Sequence, residues 1–494
     1  MQSSFFVKIY LSLHHEENMV FENNTMKRNL LFLASGAIAL CSACGSAEKK
    51  VEIKKPNIIY ILADDMGVGD LGCYGQQKIK TPAIDQMAQE GMLFSQHYAG
   101  AAVSAPSRCS LLTGLHTGHC TVRGLPKFSA SGNPVDMTDK DITVGNLLQQ
   151  NGYKTAVIGK WGLAEGDMSS MPLNRGFDYF FGYKTHGDAH HYYPEYLWRN
   201  NEKVSLPNNN AKAKTGDYSN DLFTEEALEY IKKNQNEPFF LYLAYTTPHL
   251  ELTVPEDSKE QYKNLGWPVR KMNNDHYYND EDGNTAYAGM ISRMDGYVGS
   301  ILSLLKELGL DENTIVCFSS DNGPEYDNGF FNSNGSLRGV KRELYEGGVR
   351  APFIVRWPGT IKAGSVTNHV SAFWDVLPTV CELAGFEPTI QTDGISFLPT
   401  LLGKEQNEHD YLYWETNMKQ GPIQAVRMGN WKGIKFLNKP IELYDLSTDP
   451  CEKNNIAGSH QDVVKKIEKV LETGRTPHPE YILDKWVYKK PIKK

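Results

Sequence analysis

Three short polar segments hold the side chains best suited to chemistry. Asp64-Asp65 closes a nearly continuous apolar run, Asn57-Ile58-Ile59-Tyr60-Ile61-Leu62-Ala63. Asp321-Asn322-Gly323 closes a second apolar run at residues 315–319. Together they offer three carboxylates and one amide oxygen, all hard donors. Clustered, such groups repel one another unless a cation sits among them. The set suits calcium or magnesium better than zinc, which favours His and Cys. Each segment alone is ordinary, and Asp-Asn-Gly is good turn chemistry. Their shared place after buried strands gives them weight, because ligands of open parallel sheets bind beyond the carboxyl ends of the strands. The third segment is Ser104-Ala105-Pro106-Ser107-Arg108, followed by Cys109-Ser110-Leu111-Leu112-Thr113-Gly114. Pro106 suits the first turn of a helix and Gly114 its end. Ser104 then lies just before a helix N-terminus, where free N–H groups favour anions, and Arg108 follows one turn on. A bare match to this pattern is usually only a capped helix.

The elements that must position these segments are legible in outline. Thr81-Pro82 opens a helix as N-cap and first residue, Ile84, Met87 and Ala88 form its buried face, and Gly91 stops it. Further strands are predicted at 154–158, 239–245, 314–319 and 352–357, with helical patterns between them. Across 287–308, Tyr287, Met290, Ile291, Met294, Val298, Ile301 and Leu305 form one stripe, so the methionines read as core. Gly309 ends that helix. Strands alternating with helices predict an α/β fold, a mostly parallel sheet flanked by helices. From about Leu401 the texture changes. Segments 410–414, 423–428 and 431–436 suggest a smaller antiparallel sheet, followed by a terminal helix near 462–471. A catalytic domain over 56–400 and a C-terminal subdomain over 401–494 are expected.

A formal charge of −8 over 494 residues argues against nucleic acid as a partner, since no basic surplus is available for phosphates. A small anionic substrate stays open, because a few local cations can dominate a pocket. Lys27 and Arg28 precede an apolar run from Leu30 to Leu40, and Cys41-Ser42-Ala43-Cys44-Gly45 follows. This is the pattern of a secretory signal over 26–44. Cys44 resembles a bacterial lipoprotein acceptor, with Cys41 the other candidate. Export to the periplasm, or to the outer membrane on a lipid anchor, is the expectation; a plain cleaved signal or a short buried helix are the alternatives. Residues 1–25 read as a polar extension, with Met26 as the expected translation start, and 45–55 as a linker. No later segment is long and apolar enough to span a membrane. The other six cysteines show no CxxC spacing, which disfavours a zinc ribbon; a Cys109–Cys120 bridge is left open.

Taken in order, the motifs carry a family resemblance. Ser104-Ala-Pro-Ser-Arg108 with Leu-Leu-Thr-Gly resembles the signature of the type I sulfatases. The stretch ILADDMGVGDLGCYG resembles that family's first metal segment. Gly159-Lys160-Trp161-Gly162, Thr247-Pro248-His249, Ser320-Asp321-Asn322-Gly323 and LRGVKRELYEGGVRAP follow in family order. The resemblance covers roughly residues 55 to 460 and implies an alkaline-phosphatase-like fold and one calcium ion. It also implies that Ser104 is oxidised to 3-oxoalanine (formylglycine), and that a serine here calls for an anaerobic, radical-type maturase. One hydroxyl of the aldehyde hydrate attacks sulfur, and the other then expels sulfate, which an ordinary serine could not do. The resemblance assigns Asp64, Asp65, Asp321 and Asn322 to calcium, with an oxygen from residue 104. It assigns Arg108 to holding the hydrate, Lys160 and Lys341 to sulfate oxygens, and His249 to the leaving oxygen as candidate general acid. His116 is expected to support the nucleophile.

Two positions depart from the family pattern. Gly162 stands where many sulfatases have a histidine, and Leu115 where an arginine is common. Water or a loop histidine is expected to replace the first. Residues 186–199, HGDAHHYYPEYLWR, are rich in His and Tyr and resemble bacterial sulfatases acting on galactose or N-acetylgalactosamine units. His190 and His191 are candidate substrate contacts on a sulfated saccharide, whereas Tyr192, Tyr193, Tyr196 and Trp198 suit packing equally. One rival reading is a phosphodiesterase or phosphonate monoester hydrolase of the same superfamily, whose two-zinc members need metal-spaced histidines. Another is a non-catalytic glycan-binding lipoprotein, against which Ser104, Arg108, Lys160, His249 and Lys341 argue.

Overall fold

The computed structural model describes residues 55–166, 168–272, 276–325 and 329–483. The expected export signal, its two candidate acceptor cysteines and the polar extension lie outside the described residues. Those described belong to one compact unit.

The core is a ten-stranded sheet. Its strands are β1 (Asn57–Ala63), β2 (Met92–Phe94), β3 (Lys154–Lys160), β4 (Tyr179–Tyr183), β5 (Tyr196–Arg199), β6 (Glu202–Ser205), β7 (Phe239–Ala244), β8 (Thr314–Ser320), β9 (Phe353–Arg356) and β10 (Ser365–Thr367). They lie in the order β10-β2-β9-β8-β1-β7-β3-β4-β5-β6. The middle five, β8-β1-β7-β3-β4, are parallel, and helices cover both faces. Every residue of β1, β7 and β8 is buried, which is why these strands read as unbroken apolar runs. The flanks are mixed: β9 pairs antiparallel with β8 and β2, β10 pairs parallel with β2, and β5 pairs antiparallel with β4 and forms a hairpin with β6. Tyr196–Arg199 form a strand; the outer hairpin is only partly buried, so its sequence shows no apolar run.

Register sets the functional end of the sheet. Ala63 stands beside Ser320, Leu62 beside Ala244, and Gly159 beside Ala244. Four strands therefore stop at one level, and the connections that leave them emerge at the same edge. The helix Gly283–Glu307 packs across one face with its whole predicted stripe buried. It begins four residues before the apolar period does, because the Asp282 side chain caps it by accepting from the Asn284 backbone N–H.

A four-stranded antiparallel sheet follows: β11 (Leu412–Met418), β12 (Gly421–Met428), β13 (Trp431–Phe436) and β14 (Glu442–Asp445). The helix Gln461–Thr473 covers it through Val463, Val464, Ile467 and Leu471. Strand β14 is four residues long, too short to show a period. Trp414 ties this sheet to the segment leading into the Ser104 helix, its indole N–H donating to Ala99 O at 2.9 Å. Lys432 ties the sheet by charge to the segment before β9: its fully buried ammonium meets Glu346 at 2.8 Å, and also Glu452 at 3.3 Å. Lys432→Met is expected to leave two carboxylates buried short of a cation and to cost roughly 3–5 kcal/mol in urea unfolding. A loss below about 1 kcal/mol would mean that Arg350, which pairs with Glu346, and Arg427, whose charge also acts on it, suffice.

The Cys109–Cys120 bridge does not form. Every described cysteine is a free thiol, and Cys120 Sγ donates to Val122 O at 3.1 Å.

Candidate active site

Ser104 opens the helix Ser104–Thr113, all ten residues of which are buried. It is the first helical residue, and Val103 is the cap. Gly114 ends the helix in the left-handed region, φ 69°. Ser104 Oγ donates to Asp64 Oδ1 at 3.0 Å and lies 3.5 Å from Asn322 Oδ1. One turn on, Arg108 donates from Nε and Nη2 to Asp321 Oδ2 at 3.0 and 2.8 Å.

Asp64 and Asp65 are neighbours in sequence, so in an extended strand their side chains would oppose each other. Asp65 instead takes φ 63°, and the chain turns under it. Its backbone N–H then donates to Asp321 Oδ1 at 3.1 Å, and Asn322 Nδ2 donates to Asp65 Oδ1 at 2.7 Å. A half-turn of that amide would offer its oxygen in place of its nitrogen.

Lys160, at the end of β3, places Nζ 2.5 Å from Asp64 Oδ2. Lys341 comes from a long connection and places Nζ 2.6 Å from Asp65 Oδ2. Its backbone N–H donates to Pro324 O at 2.9 Å, which ties that connection to the end of β8. Gly323 permits this closeness, since a Cβ there would lie 1.9 Å from Gly347 O. His249 lies beyond β7 with Nε2 3.5 Å from Asp65 Oδ2, and its Nδ1 donates to Leu250 O.

The electrostatics are those of a crowded anionic cluster ringed by cations. Burial and the neighbouring Asp64, Glu325 and Asp321, opposed by Lys341, push Asp65 up to about 7. Burial and Asp64 raise Asp321 as well. Burial acts on Asp64 too, but Lys160, His249, Arg108 and Lys341 together hold it well below the carboxylate range. Asp64, Asp65, Asp321 and Asn322 are each at most 1% exposed. An all-oxygen set of three carboxylates and one amide fits a hard divalent cation. Zinc chemistry fits less well, since the group that could hold a metal here contains one histidine, His249, beside two aspartates.

The structure brings Ser104, Arg108, Lys160, His249 and Lys341 together with these four residues. His190 joins them, its ring stacked 5.5 Å from that of His249. His191 sits one layer out, paired with Glu251 at 2.7 Å and stacked on Tyr278. His116 does not join them. Its ring stacks on His119 at 4.4 Å and approaches Asp393 at 3.6 Å. It follows Gly114, at the far end of the helix that Ser104 begins. Ten helical residues separate the two ends by about 15 Å.

Tyr192 and Tyr193 are packing residues. The Tyr192 hydroxyl lies 2.6 Å from Thr246 O and 2.7 Å from His249 O and shares its one proton between them, which steadies the His249 turn. Sequence reasoning missed three residues. Glu325 contacts Lys341 at 3.0 Å and is pulled down to about 2, the lysine and Arg342 overcoming its burial. His276 and Tyr277 approach His190, with ring centres 5.0 and 5.3 Å away. Their signal was the cluster His276-Tyr277-Tyr278, which echoes His190-His191-Tyr192-Tyr193.

Comparison with known proteins gives this geometry its context. The Sulfatase family model matches residues 56–386, and the model for the N-sulphoglucosamine sulphohydrolase C-terminal region matches 339–476. The N-acetylgalactosamine-6-O-sulfatase of Bacteroides thetaiotaomicron is 30% identical, over 89% of this chain and 97% of its own. The N-acetylgalactosamine-6-sulfatase of Mus musculus is 31% identical, over 87% of this chain and 82% of its own. Among solved structures, Ps i-CgsB in complex with k-i-k-neocarrahexaose superposes with a TM-score of 0.72 at 29% identity, covering 85% of this chain and 93% of that one. With two thirds of its length matched by the family model and its polar strand ends converging on Ser104, this chain belongs to the sulfatase family and is a sulfuric ester hydrolase.

Proposed function

We propose that the protein removes sulfate from sulfated saccharides, galactose or N-acetylgalactosamine units foremost, using a formylglycine made from Ser104 and a calcium ion held by Asp64, Asp65, Asp321 and Asn322. The observation that carries this reading is the position of Ser104 Oγ. It lies 3.0 Å from Asp64, at the N-terminus of a buried helix, inside a ring of Arg108, Lys160, Lys341 and His249. Such a ring suits an anion, in a chain whose net charge is −8. The galactosamine preference is supported by the names of the two relatives above. Formylglycine supplies, when formed, a nucleophile that can release its own sulfate.

The chain's own groups then divide the work. Lys160 and Lys341 face the sulfate oxygens and stabilise charge as the ester bond breaks. Arg108, anchored on Asp321, fixes the nucleophile's orientation. His249 is the candidate general acid toward the departing sugar oxygen; its Nδ1–H is committed to Leu250 O, so Nε2 must first take up a proton, which burial and Lys341 oppose. Serine at position 104 calls for a maturase that accepts serine. Export on the signal over 26–44, with Cys44 lipidated, would bring the enzyme to extracellular glycans.

The test is release of inorganic sulfate from sulfated galactose, N-acetylgalactosamine and glucosamine by protein matured in a host that carries such a maturase. Release from a 6-sulfated galactosamine is the expected result. No release from any of these sugars, with efficient cleavage of phosphate diesters, would overturn the reading.

A further inference from the structure

Gly162 stands two residues beyond Lys160 and brings no side chain to the site. A Cβ there would find only Lys160 Cε and Cγ, at 3.6 and 3.8 Å. The loop after β4 brings imidazoles to this neighbourhood, close enough for the Lys160 charge to act on His190. His190 lies with its ring 13° from parallel to that of His249, and His186 meets it edge-on at 5.1 Å. His190 Nδ1 is 2.8 Å from His276 Nε2. His190 Nε2 is buried and, among the described residues, has no hydrogen-bond partner.

Two imidazole nitrogens at that distance need one proton between them. Burial, then Lys160, His276 and Lys341, hold His190 down to about 3, so its ring is neutral near pH 7. Either ring can hold that proton; where His276 donates it, Nδ1 of His190 accepts and the ring's single proton is on Nε2. A buried donor left without an acceptor costs about 1–3 kcal/mol. An arriving ester oxygen would end that cost.

We propose that His190, held in place by His276, contacts the substrate's sulfate ester, its Nε2–H donating to an ester oxygen between Lys160 and His249. The assignment rests on the sulfate-ester reading above. It gives the loop histidine a task that no side chain at position 162 can perform.

Full-length matured protein with calcium provides the kinetic test. His190→Ala is expected to lower kcat/KM on a saccharide sulfate by about 100-fold, the order seen when one oriented donor is lost. His276→Ala should lower it by about 10-fold and add nothing in the double variant, because it acts through His190. His190→Gln, which keeps an N–H donor, should recover part of the loss. A purely structural role would give neither the non-additivity nor the recovery.

A second measurement needs no turnover. Calorimetry with inorganic sulfate on the unmatured, calcium-loaded protein should show binding weakened about 10-fold by His190→Ala. If wild type is active and His190→Ala stays within about twofold of it in both measurements, this assignment falls and the sulfatase reading stands. If wild type binds sulfate, binding is weakened in His190→Ala, and no saccharide sulfate is hydrolysed, the saccharide reading falls while the contact stands.

Discussion

Ser104→Ala is expected to lower sulfate release by roughly 10⁴-fold or more, as loss of a nucleophile does elsewhere, while leaving the fold nearly untouched. In the folded protein Ser104 Oγ makes one good hydrogen bond, to Asp64 at 3.0 Å. Losing such a bond costs about 1 kcal/mol. The contacts that shape the site survive the change. Arg108 still reaches Asp321, Lys160 still reaches Asp64, and Ala105 through Thr113 stay packed. Melting should shift by a few degrees at most and calcium affinity only modestly, so lost activity reports on chemistry. Mass spectrometry of the wild-type peptide provides the control, because maturation removes two hydrogens from the serine. In a host without the maturase, wild type and variant should be equally inactive. A matured preparation in which Ser104→Ala kept a tenth of wild-type turnover would show that another group attacks sulfur.

The site was readable in sequence wherever local chemistry and sheet topology agreed. Asp64-Asp65 and Asp321-Asn322 each follow a run that must be a buried strand, and parallel strands end at one edge. Ser104 was legible through Pro106 and Gly114, which bracket a helix and leave its free N–H groups beside the serine. The misplaced residue, His116, shows the limit of proximity in sequence. It is only twelve positions from Ser104, yet an intervening helix carries it to the opposite end, where Asp393 and His119 hold it. Glu325 and His276 were missed for the opposite reason. Both lie in polar connections without period, and only tertiary packing brings them to Lys341 and His190. In the same way, the four-residue strand Glu442–Asp445 carries too few residues to show alternation. Asp65 shows what no pattern reveals. Its left-handed backbone, φ 63°, lets two consecutive carboxylates serve one cluster.

Asp321→Asn should be the second severe change, and it separates metal binding from nucleophilic attack. Asp321 accepts two N–H groups of Arg108 on Oδ2 and the Asp65 backbone N–H on Oδ1. The amide keeps the shape but removes the charge. The oxygen cluster then falls from three carboxylates to two, and calcium affinity should drop by roughly 100-fold or more, because charge count tunes such sites. Arg108 is fully buried and keeps only Asp64, at 3.6 Å, as a charged partner. Leaving a buried charge short of its partner costs roughly 3–5 kcal/mol, so thermal stability should fall as well. Ser104→Ala is expected to do neither. In the wild type, chelation should abolish turnover and added calcium should restore it. In Asp321→Asn, calcium that saturates the wild type should restore little. Full activity of Asp321→Asn in the presence of chelator would remove calcium from the reading. Recovery of phosphodiester cleavage on zinc alone would favour the rival chemistry. The expected pattern, a calcium defect in one variant and a chemical defect in the other, requires Asp321 and Ser104 to share one site while serving it differently.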